Sequence, residues 1–111
     1  MADVVYLIQD MLFSSKLRET AKQSAVSVQA AREPAAWAEA ARAAKLAIVD
    51  LRLPAALAAA GAPPDGLRVV GFIDHERTDV MDAARAKGCT DVMAKGQFAN
   101  ALPKLLAGLS T

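Results

Sequence analysis

Short apolar runs alternate along the chain with longer segments whose apolar residues recur every three or four positions. Residues 4–8 (VVYLI) are continuously apolar and partly β-branched, a pattern that predicts a strand buried on both faces. The same pattern predicts four further strands, at residues 25–31, 46–49, 67–73 and 91–94. The strand at residues 25–31 is the least regular of them, because polar side chains alternate along it.

The intervals between these strands have the periodicity of amphipathic helices. Helices are predicted within residues 9–24, 33–45, 77–88 and 97–109. Their apolar stripes are Phe13, Leu17 and Ala21; Trp37, Ala40, Ala41 and Ala44; Val80, Met81 and Ala84; and Leu102, Leu105, Leu106 and Leu109. Pro34 and Pro103 suit the first turn of the second and of the last helix, and Gly88 suits the position after the third.

Strands separated by helices predict a mainly parallel sheet with helices on both faces. Five such strands favour a flavodoxin-like α/β three-layer sandwich with strand order 2-1-3-4-5, in a single domain over residues 1–111. The 16 residues 51–66 separate the third strand from the fourth and include the loop GAPPDG. The helix after Pro54 is therefore expected to be truncated.

The overall composition is that of a soluble globular domain. Apolar residues make up 54% of the 111 residues and charged residues 23%, with a formal net charge of +1. This charge gives no electrostatic basis for binding nucleic acid or an anionic membrane. Cys89, the only cysteine, excludes an internal disulfide and suits a reducing compartment. Since MADVVYLIQD lacks a basic leader and no apolar run approaches the roughly 20 residues of a membrane span, we expect a cytoplasmic protein.

Three charged residues stand where predicted strands end. Asp10 follows the first strand, Asp50 ends the run KLAIVD of the third, and Lys95 follows the fifth. Because the carboxyl ends of parallel strands meet at one edge of a sheet, these side chains are expected to share one crevice. Two carboxylates can hold Mg²⁺, and a carboxylate can also accept a phosphoryl group. An ammonium group beside them can contact a phosphoryl oxygen or pair with an acid.

This ordered set on this fold resembles the receiver domain of response regulators in bacterial two-component systems. The segment DLRLP is similar to the family's phosphoacceptor acid, which is followed four residues later by proline. The resemblance spans residues 4–109 and implies that Asp50 is the phosphoacceptor and that Lys95 contacts the phosphoryl group or pairs with the acid. It also implies a Mg²⁺ ion held by Asp10, Asp50 and the main-chain carbonyl of Arg52.

The resemblance further implies a protein partner, either a histidine kinase or an output (effector) protein. The docking surface would be formed by the helix at residues 77–88, the fifth strand and the last helix, and the same surface could support a homodimer. The stretches DMLFSSKL and KGQF are similar to a variant found in stand-alone bacterial receiver-like proteins.

Several positions depart from the family pattern. Gln9 stands where receivers have a second acid, and this loss should weaken cation binding. Ile73 falls where the family has a serine or threonine that bonds the phosphoryl group, and a slip of one residue would bring Asp74, whose charge would repel a phosphate. Val92 replaces the family's aromatic and Gly96 its proline. These departures favour the degenerate, pseudo-receiver branch.

Three interpretations remain open. The favoured one is a stand-alone pseudo-receiver that acts through a protein partner and is phosphorylated at Asp50 weakly or not at all. The second is a working phosphoacceptor in a phosphorelay, with Mg²⁺-dependent phosphorylation of Asp50. The third is a small α/β enzyme such as a phosphate-ester hydrolase of the haloacid dehalogenase type, although Arg52 stands where that class needs a second acid.

Each of these residues also has a purely structural interpretation. Asp50 is compatible with capping a loop, Asp10 with starting a helix, and Lys95 with an ordinary surface position. His75 is expected to be solvated and Cys89 to be a small packing residue.

Overall fold

A parallel β-sheet with helices on both faces forms the protein. The computed structural model describes residues 3–52, 67–74, 76–87 and 89–109. Within these residues the elements follow one another as β1 (Val4–Leu7), α1 (Met11–Gln23), β2 (Val28–Ala30), α2 (Pro34–Ala41), β3 (Leu46–Asp50), β4 (Arg68–Ile73), α3 (Thr78–Ala86), β5 (Asp91–Ala94) and α4 (Lys95–Ala107).

The five-stranded sheet has the order β2-β1-β3-β4-β5, and every neighbouring pair is parallel. This confirms the predicted flavodoxin-like fold class and its strand order. The register pairs Leu7 with Val49, Asp50 with Phe72, and Ile73 with Ala94. The carboxyl ends of β1, β3, β4 and β5 therefore meet at one edge of the sheet. We call this edge the carboxyl edge.

The two faces of the sheet carry separate hydrophobic cores. Trp37 and Ala41 of α2 and Ala84 of α3 pack on one face, and the Trp37 indole N–H donates a 2.9 Å hydrogen bond to the carbonyl of Ile48. On the opposite face α1 and α4 pack together, and the rings of Phe72 and Phe98 stack with centroids 4.5 Å apart. The helical stripes predicted from the sequence point into these cores, as expected from their spacing.

The second strand is shorter than predicted, because α1 ends in a turn that uses part of the expected strand. Ala25 has a positive φ of 56°. The N–H of Val26 bonds the carbonyl of Ala21 at 2.9 Å, and the N–H of Ala25 bonds that of Lys22 at 3.3 Å. This is the Schellman arrangement, with alanine in the position usually held by glycine. The strand β2 consequently begins only at Val28.

The last helix begins earlier than predicted, and the prediction for Pro103 was wrong. Helix α4 starts at Lys95, directly after β5, so Pro103 lies inside the helix rather than in its first turn. The missing proline N–H costs the helix one hydrogen bond. Phe98, Leu102, Leu105 and Leu106 are buried, and this apolar stripe holds the helix on the sheet despite that loss.

Some predictions lie outside the described residues. They are the truncated helix after Pro54, the loop GAPPDG, the position of Gly88 and the exposure of His75. Among the helices of the described segments, none is both long enough and apolar enough to cross a membrane.

Candidate functional site

Asp50 is a buried carboxylate at the carboxyl edge of the sheet. It is the last residue of β3, and its exposed fraction is 0%. A buried charge must be paired or hydrogen-bonded to avoid a large desolvation cost. Both of its oxygens accept hydrogen bonds: the backbone N–H of Gln9 reaches Oδ2 at 3.4 Å, and the backbone N–H of Arg52 reaches Oδ1 at 3.1 Å.

The side chain of Arg52 folds back onto Asp50. Its Nε donates to Oδ1 at 3.2 Å and its Nη2 donates to Oδ2 at 3.1 Å, so the guanidinium binds the carboxylate in a bidentate manner. These hydrogen bonds are the main cause of a raised pKa of Arg52; partial burial opposes them, and the charges of Asp50, Asp10 and Asp74 add to them. Arg52 is therefore a permanent cation on the buried acid.

Asp10 starts helix α1 and also lies at the carboxyl edge, where the space between Asp10, Asp50 and Lys95 is called the crevice. Its Oδ1 accepts the backbone N–H groups of Leu12 at 2.9 Å and Phe13 at 3.3 Å, the arrangement of an N-cap. Its Oδ2 lies 3.6 Å from Nη2 of Arg52. Desolvation acts to raise the pKa of Asp10, but the two backbone hydrogen bonds and the charges of Lys95 and Arg52 outweigh it, so the pKa lies below its ordinary value.

Lys95 completes the contacts at this edge of the sheet. As the first residue of α4 it directly follows β5. Its Nζ lies 3.6 Å from Oδ2 of Asp10 and 4.0 Å from Oδ1 of Asp74. The same ammonium group lies 5.1 Å from the ring centroid of Phe13, within cation–π range. The ammonium group of Lys95 therefore pairs with two acids at this edge.

Ile73 and Asp74 lie at the carboxyl end of β4, next to Lys95. Ile73 is the last residue of β4, is 2% exposed, and packs in the core on the α2 side of the sheet. Because Ile73 pairs with Ala94 in the sheet, the next residue along, Asp74, lies level with Lys95. The crevice therefore has a half-exposed carboxylate beside its lysine.

The structure thus brings the three predicted residues to one edge and adds a fourth, Arg52, between two of them. From the sequence, only the main-chain carbonyl of Arg52 is expected at this site, with no role for its side chain. The signal was present, because an arginine two residues after a strand-end acid is close enough to return to it. The sequence predicts Asp74 at this site only if the alignment slips by one residue.

The donor atoms of this crevice do not fit a Mg²⁺ ion in the arrangement observed. Both oxygens of Asp50 accept hydrogen bonds, Oδ1 of Asp10 caps α1, and Oδ2 of Asp10 faces the cations of Arg52 and Lys95. Mg²⁺ needs oxygen ligands whose lone pairs are free to face it. Within the described part of the chain, no three histidine, cysteine, aspartate or glutamate side chains converge as a metal site.

Cys89 lies apart from this crevice. It is 7% exposed and belongs to the core on the α2 side of the sheet. Burial raises the pKa of its thiol, so the reactive thiolate is disfavoured. Its environment is that of the small packing residue predicted from the sequence.

Comparison with known proteins places the fold. No protein-family model and no curated protein sequence matches this chain. The signal receiver domain of the putative response regulator NarL from Mycobacterium tuberculosis matches 98% of this chain and 95% of its own length, with a TM-score of 0.76 and 21% identity. This chain has the receiver-domain fold.

Two further solved structures extend this likeness of fold. NtrX from Brucella abortus, in complex with ADP, matches 98% of this chain with a TM-score of 0.75 and 19% identity. This chain spans only 26% of that NtrX chain. The receiver domain of the sensor histidine kinase PA1611 from Pseudomonas aeruginosa matches 99% of this chain and 98% of its own length, with a TM-score of 0.71 and 13% identity. That receiver domain holds a magnesium ion in its active site cleft.

Proposed function

We propose that this protein is a receiver-like signalling domain that acts by binding a protein partner, and that phosphorylation of Asp50 is weak or absent. The receiver-domain fold supports the signalling role. The observation that carries the second half is the bidentate pairing of Arg52 with the buried Asp50. Because the acid is held in this way, the proposal assigns this chain to the degenerate branch of receivers and not to those whose acid reacts readily.

The pairing acts against phosphorylation because the acceptor oxygen must attack phosphorus with a lone pair. Each oxygen of Asp50 accepts from Arg52 and from a backbone N–H, and these bonds would have to be released or rearranged first. Ile73 offers no hydroxyl to an incoming phosphoryl group, and Asp74 adds negative charge beside Lys95. The Asp74 carboxylate would repel an incoming phosphoryl group and would compete with it for Lys95.

The partner proposed is a histidine kinase or an effector protein, docked on the surface formed by α3, β5 and α4. The same surface is the one proposed for a homodimer. A cytoplasmic location accompanies this proposal, because a lone cysteine buried in the core suits a reducing compartment. If a histidine kinase is encoded beside this protein, its purified dimerisation domain is the first partner to titrate by calorimetry.

A second function is favoured by a different observation. Asp10, Asp50 and Lys95 come together at the carboxyl edge in the order that a working receiver requires, and the structurally similar domain from PA1611 holds magnesium in its cleft. In this alternative a kinase would phosphorylate Asp50 once Arg52 had left the carboxylate, and Asp10, Asp50 and the main-chain carbonyl of Arg52 would hold the Mg²⁺ ion. Catalytic turnover is part of neither proposal, since Arg52 occupies the position of the second acid that a haloacid dehalogenase needs.

Incubation with acetyl phosphate and Mg²⁺, followed by intact mass measurement, separates the two functions. The proposed function predicts little or no gain of a phosphoryl group in the parent protein. A nearly complete gain that disappears in Asp50→Asn, but not in the matched control Asp91→Asn, would establish the working phosphoacceptor instead. Asp91 is a suitable control because it also pairs with an arginine, Arg68, through a 2.7 Å hydrogen bond.

A further inference from the structure

One nitrogen of Arg52 lies between the two carboxylates of the crevice. Nη2 is 3.1 Å from Oδ2 of Asp50 and 3.6 Å from Oδ2 of Asp10. Nε of the same guanidinium bonds the other oxygen of Asp50. A single side chain thus contacts both of the acids that the family resemblance assigns to a metal ion.

This arginine differs from the other arginines that form ion pairs in the described segments. Arg68, Arg77 and Arg85 each contact an aspartate through one nitrogen, and their side chains are 49%, 56% and 55% exposed. Their aspartate partners are also at least one-third exposed, whereas Asp50 is fully buried. Surface pairs of this kind are hydrated on both sides and contribute little. Arg52 instead compensates the charge of Asp50, which is shielded from water.

We infer that Arg52 is an internal counter-cation that takes the place of a divalent ion in this crevice, so that Arg52 and the ion compete for Asp50 and Asp10. The inference rests on the proposed function only in that it names the cause of weak phosphorylation. The guanidinium and a divalent cation cannot both bind Asp50, because each of its oxygens already accepts from Arg52 and from a backbone N–H and has no lone pair left for the ion. A divalent ion therefore binds only after the arginine side chain has moved away.

The structure leaves a route for this exchange. The Arg52 side chain is 33% exposed, whereas Asp50 is 0% exposed, so the arginine can turn towards solvent while the acid remains in the crevice. A tethered guanidinium competes at a high effective concentration and loses no water shell as tight as that of Mg²⁺. The exchange thus disfavours the ion in the native sequence and favours it once the arginine is removed.

The test is a titration of the full chain with Mn²⁺, in which electron paramagnetic resonance measures the free ion. The variants are Arg52→Gln and the matched control Arg68→Gln, which removes an arginine from an aspartate at the opposite edge of the sheet. Neighbouring groups change metal affinity by roughly 10–100-fold, so Arg52→Gln should bind Mn²⁺ about tenfold more tightly than the parent or better. Arg68→Gln should bind as weakly as the parent.

The double variant Asp50→Asn with Arg52→Gln should lose the gain, because the carboxylate released by the arginine is then absent. If Arg52→Gln fails to fold, Arg52→Met takes its place, since its long unbranched side chain carries no charge and cannot form the bidentate pair. It too must bind Mn²⁺ more tightly than the parent. Affinity equal to that of the parent, in whichever variant folds, overturns the inference.

The outcomes of this titration and of the phosphorylation assay are independent. A parent protein that is fully phosphorylated, together with an Arg52→Gln variant that gains cation affinity, would refute the proposed function and support the inference. A parent that is not phosphorylated, together with an Arg52→Gln variant that gains no affinity, would do the reverse.

Discussion

The two edges of the sheet carry the same kinds of charged residue but in different environments. At the amino edge, where the strands begin, Arg68 pairs with Asp91 at 2.7 Å and Lys45 pairs with Asp3 at 3.6 Å. All four of those side chains are about one-third exposed or more. At the carboxyl edge, the acid bound by Arg52 is 0% exposed.

This difference shows that burial, rather than the presence of an ion pair, distinguishes the candidate site. The shortest arginine–aspartate contact in the described residues lies at the amino edge, where water also solvates both partners. The longer, bidentate contact of Arg52 should contribute more to stability, because the buried Asp50 has no contact with solvent that could replace the arginine. Removing equivalent groups from the two edges should therefore have unequal effects.

The largest difference is expected between Arg52→Ala and Arg68→Ala. Removing one partner of a buried pair leaves an uncompensated charge, so Arg52→Ala should lower the free energy of unfolding by about 3 kcal/mol. Arg68→Ala removes an exposed pair and should cost about 1 kcal/mol or less. Urea denaturation of the two variants and the parent measures both values. Equal losses would mean that the two pairs are energetically alike.

Gly71 provides a second contrast, in the packing beneath the carboxyl edge. A Cβ at this position would lie 2.9 Å from Cδ1 of Leu51, the residue between Asp50 and Arg52. Gly71→Ala should therefore destabilise the protein by about 1–3 kcal/mol through overpacking. Gly96 is the control, since a Cβ there has no neighbour within 4 Å and alanine favours the helix. Thermal unfolding should show a lower midpoint for Gly71→Ala only.

A smaller effect of opposite sign is expected at the amino edge. Ala25 holds a positive φ of 56° after α1, a conformation that strains any residue with a Cβ. Ala25→Gly should raise the free energy of unfolding by about 0.5–1 kcal/mol, because glycine adopts this conformation freely. Denaturant midpoints measure the change. Mn²⁺ affinity serves as the control and should be unchanged, since the residue is remote from the crevice.

The smallest difference between the two edges is expected in their response to acid. Lowering the pH should reduce the stabilising contribution of both edges in the same way. Hydrogen bonds from Ser27 lower the pKa of Asp3, and the hydrogen bonds and charges around Asp10 lower its pKa as well. A lowered pKa in the folded state means that stability is present above the ordinary value of 3.8 and is lost as pH falls below it. Asp3→Asn and Asp10→Asn should each flatten the acid side of the plot of unfolding midpoint against pH. If neither variant changes it, the acid sensitivity arises elsewhere.

The fold was predictable because its determinants are local or topological. The apolar stripes of Leu17 and Trp37 follow from helical spacing, and the order of the strands follows from the parallel connections between them. The meeting of Asp10, Asp50 and Lys95 at one edge follows from that order alone.

The remainder depended on side-chain geometry that periodicity does not encode. Arg52 has enough reach either to extend into solvent or to return to Asp50, and only the buried position of that acid decides between them. Pro103 was misplaced for a related reason. A proline favours a first turn, but the buried residues on both sides of it extend α4 back to Lys95 and override that preference.

The central claim is that the Arg52 guanidinium, and not a divalent ion, compensates Asp50. A crystal structure of the parent protein grown with MgCl₂ in molar excess tests it most directly. The account predicts that both nitrogens of Arg52 remain on the Asp50 carboxylate, with no metal between Asp50 and Asp10. Electron density for a hydrated Mg²⁺ bound to those two acids, with Arg52 turned into solvent, would contradict it.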